Sequence, residues 1–191
     1  MADPAPEAVT IRARRRAAAI ERMADHVLEA GLAGASLRPL AKAAGTSDRM
    51  LLYYFASKDE ILAETLGRIA ARLSDRLAEA LPDPAPGAAR LPPDRLLAQL
   101  ATVLGTPALQ PYMRVWLELA AASARGQEPH RSIAGAIADG FLAWIAARLP
   151  PAGAPGDAAR LLALIEGLAL LDALGRPQMV ALALANDGKS G

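Results

Sequence analysis

The sequence predicts an all-α protein, and three observations carry that prediction. Hydrophobic residues make up 53% of the 191 residues but aromatic ones only 4%, so leucine and alanine, both good helix formers, must fill the core. β-Branched residues are sparse, which disfavours sheet. Apolar side chains recur at three- and four-residue spacing, with glycine or proline punctuating the runs. The length suits one large domain or two small ones.

A first helix is expected from about Thr10 to Ala30, where Ile20, Met23, Ala24, Val27 and Leu28 form one stripe and Gly31 supplies the stop. Met1 to Pro6 reads as a loose tail. A second helix begins after Ser36, whose hydroxyl can cap free amides. Leu37, Leu40, Ala41 and Ala44 are its apolar side, Pro39 falls in the tolerant first turn, and Gly45 ends it. A short third helix covers about Ser47 to Tyr54. Ser57, Lys58, Asp59 and Glu60 form a capping box that opens a fourth. Its stripe of Ile61, Leu62, Leu66, Ile69, Leu73 and Leu77 meets no proline before Leu81, so one long connecting helix is expected.

Pro82 to Pro93 contains Pro82, Pro84, Pro86, Pro92 and Pro93 and reads as a linker. A fifth helix follows from about Asp94 to Leu104, stopped by Gly105. Thr106 looks like a new cap with Pro107 behind it, and Pro107 to Gln110 like a separate turn. A sixth helix is expected from Pro111 to about Arg125 and a seventh from about His130 to Leu149. Pro150 to Gly156 breaks the chain again. An eighth helix runs from about Asp157 to Leu174 and a ninth from near Pro177 to Asn186, leaving a polar tail from Asp187 to Gly191.

Composition narrows the function. With no cysteine, thiol nucleophiles, thiolate metal sites and disulfides drop out. Two histidines, His26 and His130, no glycine-rich phosphate loop and no metal-ligand spacing argue against an enzyme, and no metal or cofactor is expected. The most apolar stretch, Ala158 to Leu174, carries Arg160, Glu166 and Asp172 and falls short of the roughly 18 residues of a membrane span. No signal peptide is visible, so a cytoplasmic location without membrane attachment is the expectation. The net charge of +1 is unevenly spread. Arg12, Arg14, Arg15, Arg16, Arg22, Arg38, Lys42 and Arg49 outnumber Glu21, Asp25, Glu29 and Asp48 in one short span, which points to a local anionic partner.

That span contains a helix-turn-helix pattern from Ser36 to Tyr54. Ala41 is small enough for the two helices to cross closely, Gly45 can take the positive φ of the turn, and Leu51 can plug the angle between them. Leu40, Ala44 and Tyr54 complete the small core. Ser47 caps the third helix, whose first amides can face phosphate. A helical hairpin with a glycine turn and no nucleic-acid role has the same spacing.

The stretch from Arg38 to Leu62, RPLAKAAGTSDRMLLYYFASKDEIL, resembles the tetracycline-repressor (TetR) family. Gly45, Ser47, Leu51, Tyr54, Phe55, Ser57, Lys58, Ile61 and Leu62 match the family pattern, and the likeness is specific over about Arg16 to Ala70. It implies an N-terminal three-helix DNA-binding head (1–56). A long helix then leads into a C-terminal helical ligand-binding and dimerisation domain (57–191). The resemblance implies that Ser36 and the start of the second helix, with Arg38, touch phosphate. Thr46, Ser47, Asp48, Arg49 and Met50 would face the major groove, and Tyr54 and Lys58 the backbone. Arginine suits bidentate pairing with guanine and lysine suits phosphate. Asp48 either accepts from a cytosine amino group or favours the helix N-terminus. Arg12, Arg14, Arg15 and Arg16 form either an arm to phosphate and minor groove or a solvated charge run. Two positions depart from the family: Arg49 stands where glycine is common, and Leu52 where a phosphate-contacting tyrosine is common. Tyr53 points about 100° away from Leu52 and is a candidate contact in its own direction.

In the remainder, Leu161, Leu162, Leu164, Ile165, Leu168, Leu170 and Leu171 make the eighth helix apolar on nearly all faces, so it needs cover on every side. With Met179, Val180, Leu182 and Leu184 of the ninth it can build a four-helix bundle across a homodimer, as the resemblance also implies. A monomer with that helix in its own core is the alternative. Paired heads in turn suit a palindromic double-stranded operator. Leu66, Ile69, Met113, Trp116, Leu117, Phe141, Trp144 and Ile145 are the candidate lining of a pocket for an apolar small-molecule effector, against the simpler reading of core packing. Glu118, Glu166 and His130 are candidate polar contacts there, or surface and dimer-rim residues. The expected function is a repressor released from its operator by such an effector. The alternative is a helical small-molecule-binding or adaptor protein with a degenerate DNA-binding head.

Overall fold

The computed structural model describes residues 6–83, 89–151 and 154–187. Within them the chain is helical, with no strand. The helices are α1 (Pro6–Ala30), α2 (Leu37–Ala43), α3 (Asp48–Tyr54), α4 (Lys58–Ala80), α5 (Pro93–Leu104), α6 (Gln110–Ala124), α7 (His130–Ala146), α8 (Ala154–Ala173) and α9 (Pro177–Asp187). A single 3-10 turn, Leu32–Gly34, follows α1 and had no signature in the apolar periodicity. Of the expected tails and breakers, residues 1–5, 84–88, 152–153 and 188–191 lie outside the described residues. Pro6 belongs to α1 rather than to a tail.

Local chemistry sets most boundaries. The Ser47 hydroxyl accepts from the Met50 amide at 3.3 Å, and the Ser57 hydroxyl from the Glu60 amide at 3.0 Å, as expected of N-caps. Glu60 reaches back to the Ala56 amide and completes the box one residue earlier than the usual pattern. Two caps differ from expectation. Ser36 sits at the N-cap in extended conformation, but its side chain makes no capping bond; only its carbonyl enters the helix, accepting from Leu40 at 3.1 Å. The Thr106 hydroxyl donates back to the Val103 carbonyl at 2.7 Å, so it tethers the end of α5 and caps nothing. The turn after α2 is a Schellman motif. Gly45, at φ 70°, donates to Lys42 and Thr46 donates to Ala41.

α1, α2 and α3 enclose a small core of Met23, Ala24, Val27, Leu40, Leu51 and Phe55, all buried. α4 leaves this head and runs into the body, where it meets α6 and α7. α8 packs on α5 and α7, with α9 alongside it. One face of α8, carrying Leu161, Ile165 and Leu168, is buried in this arrangement. The apolar pattern demands cover all round; within one chain the opposite face stays open, with Leu170 51% exposed and Leu182 of α9 67% exposed.

Candidate nucleic-acid interface and ligand cavity

The helix-turn-helix framework is built as its residue sizes require. Ala41 and Leu51 are fully enclosed where α2 and α3 cross, and Leu40, Ala44 and Phe55 close the wedge. Tyr54 is half-buried and meets Tyr53 edge-on, with ring centres 5.7 Å apart. The framework leaves one surface open. Ser36, Arg38, Ser47, Asp48, Arg49, Met50, Tyr53 and Lys58 are exposed, and Thr46 is half-buried at the turn. Leu52 is exposed beside them. Tyr53 is 60% exposed, because the Arg12 guanidinium covers only one side of its ring, 4.9 Å from the centre. Arg12 also donates to the Tyr53 carbonyl at 2.8 Å, so this arginine of the basic run is folded onto the end of α3.

Arg16 has a different place from the DNA-facing one expected for it. Its guanidinium pairs with Glu60 at 2.8 Å and with Glu64, and lies 4.6 Å from the centre of the Phe55 ring. A cation held by two carboxylates and an aromatic face is committed inside the protein.

That pairing belongs to a longer seam between α1 and α4. Arg72 donates to Glu21, to the Glu21 carbonyl at 3.2 Å and to Asp25 at 2.6 Å; Arg68 pairs with Glu21 at 2.6 Å. The pairing pushes Glu21 below the usual carboxylate range, chiefly through the Arg72 hydrogen bond. Glu60, Glu64, Arg68 and Arg72 recur every four residues, so they share one face of α4. A second clamp holds the other end of α1. Arg114 of α6 donates to the Leu28 carbonyl at 2.6 Å and the Glu29 carbonyl at 3.1 Å, and Glu118 accepts from the Leu32 amide at 2.5 Å. Gly31, at φ 77°, makes that approach possible, since a Cβ there would lie 2.8 Å from the Glu118 carboxylate. Glu118 is therefore a structural tie and is not among the lining residues of the larger cavity.

The opposite face of α4 carries Ala63, Leu66, Gly67, Ala70 and Leu73 and borders a cavity of about 760 Å³ between α4, α6 and α7. This volume lies in the range of drug-sized ligand sites. Of the eight residues predicted to line a pocket, Leu66, Ile69, Met113, Trp116, Phe141 and Trp144 do so. Leu117 is turned away and lines a separate hollow of about 430 Å³ beside α5, α8 and α9. Ile145 is fully buried in the core and borders neither space. Both misplacements have one cause: adjacent residues on a helix point 100° apart, and the sequence does not fix which neighbour faces inward. Tyr112 lines the cavity as well, and so do Ile133 and Ile137, which the aromatic and methionine pattern does not single out. The missed signal was the run of small residues, Ala63, Gly67 and Ala70, opposite the charged face of α4.

Phe141 and Trp144 stack with ring centres 5.9 Å apart, and Arg148 covers Trp144 at 3.5 Å while pairing with Asp83 at 2.7 Å. Glu166 of α8 also borders the cavity, and the Trp116 indole N–H donates to its Oε2 at 2.5 Å. Burial pushes the Glu166 carboxyl above its ordinary range, and the indole hydrogen bond offsets this only in part. His130 is half-buried at the start of α7 and does not border the cavity. No group of three or more histidine, aspartate or glutamate side chains able to hold a metal occurs among the described residues. None of their helices is long and apolar enough to cross a membrane.

The family described as bacterial regulatory proteins, tetR family, matches residues 17–65, which span the three-helix head and the first turns of α4. The HTH-type transcriptional regulator BetI of Burkholderia thailandensis is 32% identical over 185 residues, covering 93% of this chain and 92% of that protein. Among solved structures, a transcriptional regulator from Rhodococcus sp. Rha1 is similar at 29% identity and a TM-score of 0.65, covering 90% of this chain and 92% of that one. The multidrug binding protein EbrR, complexed with proflavin, is similar at 25% identity and a TM-score of 0.62, covering 91% of this chain and 99% of that one.

Proposed function

The chain belongs to the tetR family of bacterial regulatory proteins, DNA-binding transcriptional regulators with a ligand-binding body, and from that premise we propose that it is a homodimeric repressor released from a palindromic operator by a small molecule. One observation carries this reading: the two faces of α4. One face is ion-paired to the head through Arg16, Glu21 and Asp25, and the other borders the cavity. A ligand that presses on Leu66, Ala70 or Leu73 displaces the helix that holds the head. Release follows only if the ligand binds the displaced arrangement more tightly than the operator-bound one.

Thr46, Ser47, Asp48, Arg49 and Met50 are the proposed base-reading surface, with Ser36, Arg38, Tyr53, Tyr54 and Lys58 on the backbone. Arg49 is the base reader because it is long, exposed and bidentate, whereas Lys58 supplies affinity independent of sequence. The open apolar faces of α8 and α9 support dimerisation, and two heads related by a two-fold axis suit an inverted repeat. A cytoplasmic setting follows from work on the chromosome.

The test is selection from random duplexes, followed by anisotropy titration of the selected and random DNA across salt concentrations. An inverted repeat should emerge. Arg49→Ala should relax preference at one position of each half-site, by about 1–3 kcal/mol, while Lys58→Ala should weaken all duplexes alike. If no sequence is enriched over random DNA, the regulator reading fails in favour of a ligand-binding or adaptor protein with a drifted head.

A further inference from the structure

We infer that the cavity takes an organic cation with an apolar or aromatic body, its positive charge held against the Glu166 carboxylate and the Trp116 ring. This deepens the reading of the cavity as the effector site and rests on it. The lining contains three carboxylates, Asp59, Glu60 and Glu166, and no lysine, arginine or histidine. The three are not equivalent. Glu60 is already neutralised by Arg16, and Asp59 is exposed at the first turn of α4. Glu166 is half-buried between α6 and α8, where among the described residues no cationic side chain pairs with it and the Trp116 indole supplies its hydrogen bond.

A lone carboxylate in an apolar cavity is costly unless a charge of opposite sign arrives. An anionic ligand would meet repulsion with no basic group to offset it. A neutral one would leave the carboxylate dehydrated and uncompensated. A cation removes both costs, and the Trp116 ring adds cation–π attraction, strongest where water is excluded. Partial burial, which pushes the carboxyl above its ordinary range, fits a group that awaits its counter-charge.

The two probes are N-methylacridinium and acridine, which share a shape and differ in charge at mildly alkaline pH. Binding is read by probe anisotropy and by quenching of Trp116 and Trp144. The full-length protein should bind N-methylacridinium at least about tenfold more tightly than acridine. Glu166→Gln, which keeps an acceptor for the indole, should erase that preference by weakening the cation while leaving acridine bound at least as tightly as before. Retained acridine binding also shows that the variant is folded. Equal affinity for the two probes in the unaltered protein, or an undiminished cation preference in Glu166→Gln, overturns the inference while leaving the cavity a ligand site. Binding of neither probe overturns it together with the reading of the cavity.

Discussion

Gly45 and Glu166 show how much a single position decides. Gly45 holds φ 70° so that Thr46 can donate back to Ala41 and α3 can turn away from α2. Gly45→Ala keeps the space, since the nearest atom to a new Cβ is the flexible Arg22 Nη1 at 3.3 Å. The left-handed backbone is then the whole penalty, about 1–2 kcal/mol, measured as a drop in the urea midpoint with an unchanged m-value. Glu166 has the opposite character, because here the natural residue is the unfavourable one. Its carboxyl titrates above the ordinary 4.5, so the ionised form opposes folding at neutral pH. That opposition fades as the pH falls and the carboxyl protonates in folded and unfolded chains alike. Glu166→Gln is therefore expected to raise the melting temperature of the ligand-free protein at neutral pH. The gain should shrink as the pH is lowered through the shifted value toward the ordinary one. A gain that persists unchanged into acid would mean that the carboxylate charge is not its source.

At the scale of helices, α1 is held from two sides. The Arg68 and Arg72 pairs fix it to α4, and Arg114 with Glu118 fixes its end to α6. Both partner helices border the cavity, so in the proposed scheme a ligand there would reach the head by two routes. The exposed carboxylates limit the energy of the α4 seam, because Glu21 and Asp25 are 42% and 68% exposed on their side chains. Arg72→Ala should cost only about 1 kcal/mol. Its larger effect should be on transmission: the ligand still binds, but more of it is needed to release operator DNA. Glu118→Ala removes the acceptor for the Leu32 amide and should act in the same direction. Each variant is tested by comparing ligand affinity in free protein with the ligand concentration that half-releases a labelled duplex. Both curves shifting equally would assign these residues to stability alone.

The whole molecule leaves an apolar strip on its outer side. Leu170 of α8, Leu174 just after its end, and Met179 and Leu182 of α9 are exposed, and large exposed apolar side chains of this kind are what the proposed dimer would bury. A second copy placed there gives α8 the cover its composition demands. Leu174→Asp puts an unpaired charge in that contact. It should shift the light-scattering mass from dimer to monomer at micromolar concentration and weaken operator binding more than tenfold, because the second head no longer adds its contacts. A monomeric mass for the unaltered protein would remove the dimer from the scheme.

Periodicity and punctuation determined the helices, because a helix needs only local information: an apolar stripe, a serine cap, a glycine stop. The helix-turn-helix was equally legible, since Ala41, Gly45 and Leu51 meet steric demands made within twenty residues of chain. The direction of each ring and charge in the body was not legible. Leu117 differs from Trp116 by one step around α6, and only packing against α5 and α8 turned it away from the larger cavity. Arg16 reads as one of a run of DNA-facing arginines until α4 brings Glu60 and Glu64 against it across more than forty residues. Glu166 reads either as a polar contact of the pocket or as a surface acid until α6 sets Trp116 against it. The sequence alone determined that this chain has an N-terminal DNA-reading unit joined to a helical body. Only tertiary structure decided which charges are spent on holding the two together and which one faces the cavity, because those partners lie more than forty residues apart, with whole helices between them, and no local spacing encodes their meeting.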